Sequence, residues 1–294
     1  MMTARCNLAC SYCVLENTPV QLANELSFDR KKALIDHLYR VLGYRSLTLS
    51  GGEPLIIDKG RFAELLEFLR KYKNPDRKRN LAIRIYTNGL LLTPDIAKAM
   101  RGVVDRVDIN VDSTRNDILT RIGRSSTVLG NYYEKALAAL RMLYKEDIPV
   151  QLHTVISRLN VDSLPKECEK ILKDVLNANP LLEKWKLFQY MTYDNAVKDE
   201  MHKITDEEFL MAKDIMEKIV SGLKIPLRFK SNDLLNDSLF NILATGIVQY
   251  RMPGDTWTTT HRTKSIFEYS SMAQLLENNG INKNLFYEHH SFKV

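Results

Sequence analysis

The chain has 294 residues, 45% of them apolar, and its 42 Lys and Arg exceed its 36 Asp and Glu to give a formal net charge of +6. Such a chain can bury a sizeable core, and its small, dispersed positive charge favours an anionic small-molecule partner and argues against nucleic acid. No apolar run approaches the roughly 18 residues of a membrane helix, and no signal peptide precedes the first cysteine, so we expect a cytoplasmic protein without a membrane partner.

The first element in the chain is a cysteine-rich loop. Cys6, Cys10 and Cys13 lie in the run Cys-Asn-Leu-Ala-Cys-Ser-Tyr-Cys. Thiolates at this spacing suit an iron–sulfur cluster. Three thiolates leave one iron of a [4Fe–4S] cluster open for an exogenous ligand, whereas an electron-transfer ferredoxin normally closes that position with a fourth cysteine. The loop therefore predicts a catalytic cluster.

Other kinds of cysteine site fit the sequence less well. A structural zinc site takes four Cys or His ligands, but the fourth cysteine, Cys168, lies far along the chain and the first histidine is His37. A disulfide framework needs more cysteines in a smaller, secreted chain. Zinc and redox-active thiols stay open as alternatives, and we expect Cys168 to be an ordinary buried thiol.

Beyond the loop, short apolar strands alternate with amphipathic helices. The predicted strands are Ser46–Ser50, Leu81–Thr87, Arg106–Val111, Val150–Ile156 and Lys184–Met191, and the predicted helices are Phe28–Leu42, Arg61–Tyr72, Pro94–Met100, Leu129–Glu146, Ser163–Leu176 and Asp206–Leu223. Such alternation predicts an α/β fold with a parallel sheet, and the number of units fits a partial (β/α)6 barrel. From about Lys224 the pattern changes to short strands and turns. We therefore predict a barrel over residues 1–223 and a C-terminal α+β cap over residues 224–294.

A strand that ends in two glycines and a carboxylate follows the cysteine loop. Ser46–Ser50 leads directly into Gly51, Gly52 and Glu53. Glycines let another group approach the backbone closely, and Glu53 can accept hydrogen bonds from an ammonium group. Alone, this stretch is a weak signal that a simple turn also explains. Together with the cysteine loop, it resembles the radical S-adenosylmethionine (SAM) superfamily.

The resemblance implies a partial radical-SAM barrel with two cofactors, a [4Fe–4S] cluster and SAM. SAM would bind the open iron, and the Gly-Gly-Glu stretch would bind its amino group. An external one-electron reductant of the flavodoxin or ferredoxin type would supply the electron that cleaves SAM to a 5′-deoxyadenosyl radical, which abstracts a hydrogen atom. Barrels of this superfamily have a strand just before the cysteine loop. Met1–Arg5 is too short to supply much of it, so we expect a missing start or an abbreviated barrel edge.

Three more residues match the superfamily pattern for SAM binding. Asn88 lies in a Thr-Asn-Gly turn after the second predicted strand, and Ser113 and Arg124 follow the third. The resemblance implies that Ser113 and Arg124 contact the carboxylate and ribose of SAM. A turn asparagine, a capping serine and a solvated arginine are the plainer explanations.

A narrower resemblance, to the viperin-like enzymes of antiviral defence and their prokaryotic relatives, covers nearly the whole length. The matching stretches are Ser50–Leu55, Thr87–Gly89, Asp112–Ser113, Ile122–Arg124, Val155–Asn160, Trp185–Gln189, Thr205–Phe209 and Asn279–Phe286. These enzymes dehydrate a nucleoside triphosphate to a 3′-deoxy-3′,4′-didehydro nucleotide. The resemblance therefore implies a lyase with a nucleoside triphosphate substrate.

The residues expected to bind substrate depart from the viperin-like pattern. Gln151 and His153 stand where that family has Lys and Asn, and the tyrosine thought to donate hydrogen aligns with Leu239. We expect Gln151 and His153 to share one strand face and to contact substrate, although His153 is equally explained as a core histidine. The other predicted substrate contacts are Arg158, Lys186 and Lys264, with Lys184, Arg251, His261 and Arg262 as further basic candidates.

Two other functions stay open. A radical SAM enzyme can modify a peptide or a different small molecule, although no cysteine follows Cys168 to hold the extra clusters that many peptide-modifying members carry. An iron–sulfur sensor would bind the cluster without cleaving SAM. The sequence favours a small anionic substrate and does not identify its base.

Overall fold

The structure is a computed structural model that describes residues 1–13, 22–76, 78–192, 195–232, 240–250 and 261–289. Its centre is a six-stranded parallel sheet whose strands follow chain order from edge to edge. The strands are β1 (Ser46–Leu49), β2 (Ala82–Thr87), β3 (Arg106–Asn110), β4 (Val150–Ile156), β5 (Leu182–Gln189) and β6 (Leu227–Lys230). The first five overlap the predicted strands, and the predicted α/β fold with a parallel sheet is confirmed.

Helices connect the strands and cover one face of the sheet. They are α1 (Phe28–Arg40), α2 (Lys59–Arg70), α3 (Pro94–Met100), α4 (Asn116–Ile122), α5 (Tyr132–Lys145), α6 (Leu164–Ala178), α7 (Ala196–His202) and α8 (Asp206–Ile219). The sequence marks some starts clearly: the Thr205 side chain and Glu208 form a reciprocal capping box at α8. Cys168 is fully buried in α6, as predicted. None of the described helices has the length and apolarity needed to cross a bilayer.

The two faces of the sheet differ in character because successive side chains of a strand point to opposite sides. Toward the helices, β2 to β5 present fully buried apolar side chains such as Ile85, Val107, Leu152 and Trp185. The opposite face, here called the interior face, is mostly polar. Its residues are Arg84, Tyr86, Arg106, Asp108, Asn110, Gln151, His153, Lys184, Lys186, Phe188, Arg228 and Lys230.

The segment before the cysteine loop forms backbone hydrogen bonds although it is not a regular strand. The amide of Met2 donates to Ser50, and the amides of Gly52 and Glu53 donate to Thr3 and Arg5, with N···O distances of 2.6, 2.8 and 2.8 Å. The short segment 2–5 is therefore enough to pair with the chain just after β1. This pairing holds the start of the cysteine loop against the Gly-Gly-Glu stretch.

The C-terminal part packs mainly on α1. Its antiparallel sheet contains β7 (Phe240–Ile242), β8 (Ile247–Tyr250) and β9 (His261–Ser265), followed by α9 (Met272–Asn278) and α10 (Lys283–His289). Val248, Ile266 and Leu275 form an apolar cluster with Leu38 and Leu42 at the α1 end. Strand β6 lies beyond residue 223 yet belongs to the parallel sheet. We therefore propose that the boundary between barrel and cap lies after Lys230 and not at residue 223.

Candidate active site

The cysteine loop lies beside the ends of β1 and β2 and brings three thiols together on one short segment. Cys6, Cys10 and Cys13 are each partly exposed, and none forms a disulfide. The amide of Cys13 donates to the carbonyl of Cys10 at 2.9 Å, which closes a tight turn. The amide of Leu8 donates to Cys6 Sγ at 3.4 Å. Such amide contacts favour a negatively charged sulfur.

His202, at the end of α7, anchors this loop from the other side. It is fully buried, and its Nε2 lies 2.9 Å from Ser11 Oγ while its Nδ1 lies 3.4 Å from Ser157 Oγ. Burial lowers the pKa of His202 to about 4, so the ring is neutral at pH 7. The sequence carries no local signal that connects residue 202 with residue 11, and this contact was not predicted.

The two glycines of the Gly-Gly-Glu stretch are required by the protein's own backbone. A Cβ atom at Gly51 would lie 2.3 Å from the carbonyl oxygen of Thr3, and one at Gly52 would lie 2.1 Å from that of Arg5. The sequence predicted that a ligand lies close to the backbone of these glycines. In the structure, the backbone of segment 2–5 occupies at least part of that space. No described residue donates a hydrogen bond to the carbonyl oxygens of these glycines, which leaves them for an ammonium donor.

Glu53 is fully buried and joins the ends of two strands. Its Oε1 accepts hydrogen bonds from Leu55 N at 3.0 Å and Thr87 Oγ1 at 2.7 Å, and its Oε2 accepts one from Asn88 N at 2.7 Å. Burial raises the pKa of Glu53, and these hydrogen bonds oppose that rise. In this structure Glu53 accepts hydrogen bonds from groups of the protein itself, so its predicted contact with SAM stays a proposal.

Asn88 faces the cysteine loop. Its Nδ2 donates to Asn7 Oδ1 at 2.8 Å and lies 3.9 Å from Cys6 Sγ. Its Oδ1 accepts from Leu90 N at 3.0 Å, which fixes the amide orientation. Asn88 therefore connects the end of β2 to the segment that would hold the cluster, and its predicted contact with SAM stays a proposal.

Arg124 is a buried cation in a polar cluster that the sequence did not reveal. Its Nε pairs with Asp112 Oδ2, its Nη2 donates to Tyr12 OH at 2.6 Å, and its Nη1 lies 3.4 Å from Tyr132 OH. Burial raises the pKa of the Cys10 thiol, and the Arg124 guanidinium opposes this effect. Arg124 is therefore close enough to compensate negative charge at the cysteine loop.

Ser113, the other predicted SAM contact, is fully buried beside Glu167 of α6. Its hydroxyl donates to Glu167 Oε2 at 2.8 Å, and its Oγ accepts from Arg115 N at 3.0 Å. Because its proton is directed at Glu167, Ser113 can accept from a hydroxyl more readily than it can donate to a carboxylate. This geometry suits a ribose hydroxyl better than the SAM carboxylate.

The residues around the cysteine loop fit the two implied cofactors. A [4Fe–4S] cluster with three thiolate ligands is anionic, and it would meet the amide of Leu8, the Asn88 side chain and the buried Arg124. SAM would meet the free glycine carbonyls and the lone pair of Ser113. The predicted SAM residues Gly51, Gly52, Glu53, Asn88 and Ser113 follow strand ends, and Arg124 lies just after α4.

Three of the predicted substrate residues, Gln151, His153 and Lys186, lie together on the interior face. Arg158 and Lys264 do not. Arg158 is exposed and donates to the carbonyl of Lys203 at 3.2 Å, beside α7, and Lys264 is exposed on β9. Among the further candidates, Arg251, like Leu239, and the His261 side chain lie outside the described residues.

The interior face carries more positive charge than its carboxylates neutralise. Arg106 pairs with Asp108 at 2.6 Å and with Glu183 at 3.2 Å. Five other cations form no ion pair with any residue that the structure describes; they are Arg84, Lys184, Lys186, Arg228 and Lys230. Burial lowers the pKa of Lys186 to about 8, and the neighbouring cations Arg106, Lys184 and Arg84 act in the same direction. The excess positive charge of the interior face therefore favours an anionic ligand.

Comparisons with known proteins agree with this geometry. The family model described as the Radical SAM superfamily matches residues 1–174. The AdoMet-dependent heme synthase of Methanosarcina barkeri is 31% identical over 169 residues, which cover 57% of this chain and 44% of that protein. A GTP 3′,8-cyclase of Synechococcus is 35% identical over 122 residues, covering 40% of this chain and 34% of the cyclase. The chain thus matches less than half the length of these relatives.

Solved structures share the fold at low sequence identity. Streptococcus suis SuiB bound to S-adenosylmethionine superposes with a TM-score of 0.66 at 11% identity, over 99% of this chain and 67% of SuiB. The anSMEcpe structure with bound AdoMet and a peptide gives 0.64 at 17% identity, over 100% of this chain and 82% of that one. The curated relatives above are a synthase and a cyclase, so the viperin-like resemblance remains a proposal. With its cysteine loop, parallel sheet and strand-end residues, the chain belongs to the radical SAM superfamily.

Proposed function

We propose that this radical SAM enzyme acts on an anionic small molecule held by the interior face, and that the molecule is a nucleoside triphosphate. In the viperin-like form of this proposal, the product is a 3′-deoxy-3′,4′-didehydro nucleotide with a role in antiviral defence. The observation that carries the proposal is the group of interior cations that form no ion pair within the described part of the chain.

Unpaired cations on a partly buried face repel one another, and a ligand that brings several negative charges would relieve that repulsion. Lys184 and Lys186 are two residues apart on β5, about 7 Å along the strand. Arg228 lies opposite Lys186 on β6, about 5 Å away. Charges spread over this area suit a triphosphate better than a single carboxylate.

The name of one relative contains an anionic substrate, and the name of another contains an anionic product. GTP 3′,8-cyclase, by its name, acts on a nucleoside triphosphate, and one such protein from Methanococcus aeolicus is 25% identical over 76% of this chain. Fe-coproporphyrin III synthase of Methanosarcina barkeri, 30% identical over 56% of this chain, is named for a porphyrin that carries carboxylates. The first name supports a nucleotide substrate, whereas the second supports only an active site that accommodates an anionic product.

The chain's residues would have separate tasks in this reaction. When bound, the cluster and SAM supply a 5′-deoxyadenosyl radical for hydrogen abstraction. Asn88 and Arg124 support the cysteine loop, and the glycine carbonyls and Ser113 receive SAM. The interior face would hold the anion and so orient the substrate for hydrogen abstraction.

The proposal is tested by incubating anaerobically reconstituted enzyme, SAM and dithionite with CTP, UTP, GTP, ATP or Fe-coproporphyrin III. We expect one nucleotide to accelerate 5′-deoxyadenosine formation and to yield a product lighter by one water in mass spectrometry. If only Fe-coproporphyrin III reacts, the proposal of an anionic substrate is supported and the proposal of a nucleotide substrate is wrong.

The remaining alternatives give different results in the same experiment. Equal, uncoupled 5′-deoxyadenosine formation with every compound would leave no support for an anionic substrate and would favour a peptide or another small molecule. An iron–sulfur sensor would hold the cluster and form no 5′-deoxyadenosine with any of them.

A further inference from the structure

His153 and Asp108 face each other across β3 and β4 on the interior face. His153 Nε2 lies 3.0 Å from Asp108 Oδ2, and both residues are buried, with 8% and 1% of their surfaces exposed. The ring N–H is not well aligned with the carboxylate, so this contact is a bent one. Arg106 holds the other oxygen, Asp108 Oδ1, at 2.6 Å. The carboxylate is therefore fixed in place.

The carboxylate sets the tautomer of the imidazole. Burial opposes ionisation of Asp108, but His153 and Arg106 outweigh it and lower the pKa of Asp108 to about 2. A lone pair on Nε2 would lie 3.0 Å from the Asp108 Oδ2 oxygen and be repelled by its negative charge, whereas a proton there is attracted even in a bent contact, so the proton of the neutral ring belongs on Nε2. The lone pair is then on Nδ1. Nδ1 forms no hydrogen bond with the described residues and is not fully covered by them.

Two aromatic rings hold the imidazole in this orientation. Tyr86 and Phe188 meet it edge-on, with ring centroids 4.7 and 5.3 Å away and interplanar angles of 80° and 76°. Tyr86 comes from β2 and Phe188 from β5, so both neighbouring sides of the ring are occupied. The imidazole has little freedom to turn Nδ1 away from the interior.

Burial and the nearby cations oppose protonation of His153 while the interior holds no anion. The titratable groups around the ring come from three strands: Tyr86 and Arg84 on β2, Asp108 and Arg106 on β3, and Lys184 and Lys186 on β5. Burial lowers the pKa of His153 and is the largest effect. Asp108 raises this pKa, whereas Lys186 and Arg106 lower it further. A bound polyanion would offset the cations and leave the favourable effect of Asp108.

We propose that Asp108 and His153 form a general acid that is activated by anion binding. When an anion binds to the interior cations, His153 Nδ1 takes up a proton, which it can then pass to an oxygen of the substrate. This inference rests on the proposed anionic substrate. In the transfer, the Nδ1–H bond breaks and an O–H bond forms, while the nitrogen keeps the electron pair. The step needs no oxidant or reductant, and the Asp108 carboxylate stabilises the imidazolium before the transfer.

The first test follows the ring nitrogens of His153 by long-range ¹H–¹⁵N NMR on the reconstituted holoenzyme, with the His153→Gln variant to assign the signals. Without ligand, we expect the Nε2–H tautomer. With inorganic tripolyphosphate, we expect the pKa of His153 to rise by about 1. An Nδ1–H tautomer, or bound tripolyphosphate without any change in that pKa, would overturn the inference.

The second test measures proton uptake when tripolyphosphate binds, by calorimetry at pH 6.5 in two buffers of different ionisation enthalpy. At this pH Lys186, whose pKa is about 8, is already charged and contributes little. We expect His153→Gln to bind tripolyphosphate with an affinity within about threefold of wild type and to take up no more than about half as many protons. Equal uptake by the two proteins would contradict the inference.

Two controls separate the possible failures. Asp108→Asn should bind the anion at least as tightly as wild type, because it removes a negative charge from the face, but should lose the single tautomer, whereas a purely structural role would change only the melting temperature. If Asp108→Asn does not fold, the wild-type spectrum and His153→Gln still decide the question. Absence of tripolyphosphate binding to wild type would instead contradict the proposed anionic substrate.

Discussion

The Glu53 carboxylate accepts a hydrogen bond from the backbone N–H of Asn88, with Oε2 and N 2.7 Å apart. Glu53 follows β1 and Asn88 follows β2, so this bond joins two strand ends directly beneath the cysteine loop. Asn88 in turn donates to Asn7 inside the loop at 2.8 Å. The geometry of the cluster-binding loop therefore depends on a carboxylate that does not itself touch a thiol.

We predict that Glu53→Gln destabilises the protein by about 1–3 kcal/mol, because the new NH2 group must face one of three buried donors. Iron content per chain should fall as the Asn88 contact loosens. Urea unfolding and iron analysis of anaerobically reconstituted protein measure both. Glu67→Gln is the matched control, since the Glu67 side chain is 75% exposed and should leave both values unchanged. Wild-type behaviour of Glu53→Gln would rule out the bridging role.

A second prediction concerns the anchor between His202 and Ser11. Burial lowers the pKa of His202 to about 4, below that of an unfolded histidine. The unfolded chain therefore binds the proton first, and stability falls as the pH falls from about 6.5 to about 4. We expect His202→Gln to lower the melting temperature at pH 7 and to flatten this part of the pH profile.

The profile is best measured by thermal unfolding at several pH values, with an Arg158→Gln variant as the control. The backbone N–H of Arg158 donates to the carbonyl of His202, so this control changes a neighbouring side chain and leaves the imidazole in place. An unchanged pH slope in His202→Gln would show that another group controls stability there.

A third prediction concerns anion binding by Lys186. We expect Lys186→Met to weaken tripolyphosphate binding roughly tenfold, because a charge-assisted hydrogen bond is worth about 1.5–3 kcal/mol. Wild-type affinity should also fall as the pH rises through about 8, where Lys186 loses its charge. Lys264→Met, on the exposed face of β9, is the control and should bind like wild type. Equal loss in both variants would place the anion elsewhere.

The cysteine loop and most strands were predictable because their signals are local. Three thiols in one short run identify a cluster site, and alternation of Lys184 and Lys186 with Trp185 and Leu187 identifies a strand with one polar face. The gathering of these lysines with Arg84 and Arg228 was not predictable, since it depends on the register of five strands, β2 to β6.

The supporting contacts of the cofactor site could not be predicted from the sequence either. Tyr12 donates to Asp112 at 2.7 Å, and Ser113 donates to Glu167 at 2.8 Å, although the partners lie 100 and 54 residues apart. Each of these residues has an ordinary local role in its own loop or helix. Only the parallel sheet brings them together, because it places all the strand ends at one edge.

The most direct test of the central claim is the amount of 5′-deoxyadenosine that the anaerobically reconstituted protein forms from SAM and dithionite in the presence of a nucleoside triphosphate. Wild type should form it, with formation accelerated by one of the triphosphates. Cys10→Ala should form none, while Cys168→Ala, changed at the buried thiol of α6, should resemble wild type. Wild-type protein that binds zinc and forms no 5′-deoxyadenosine with any triphosphate would contradict the claim.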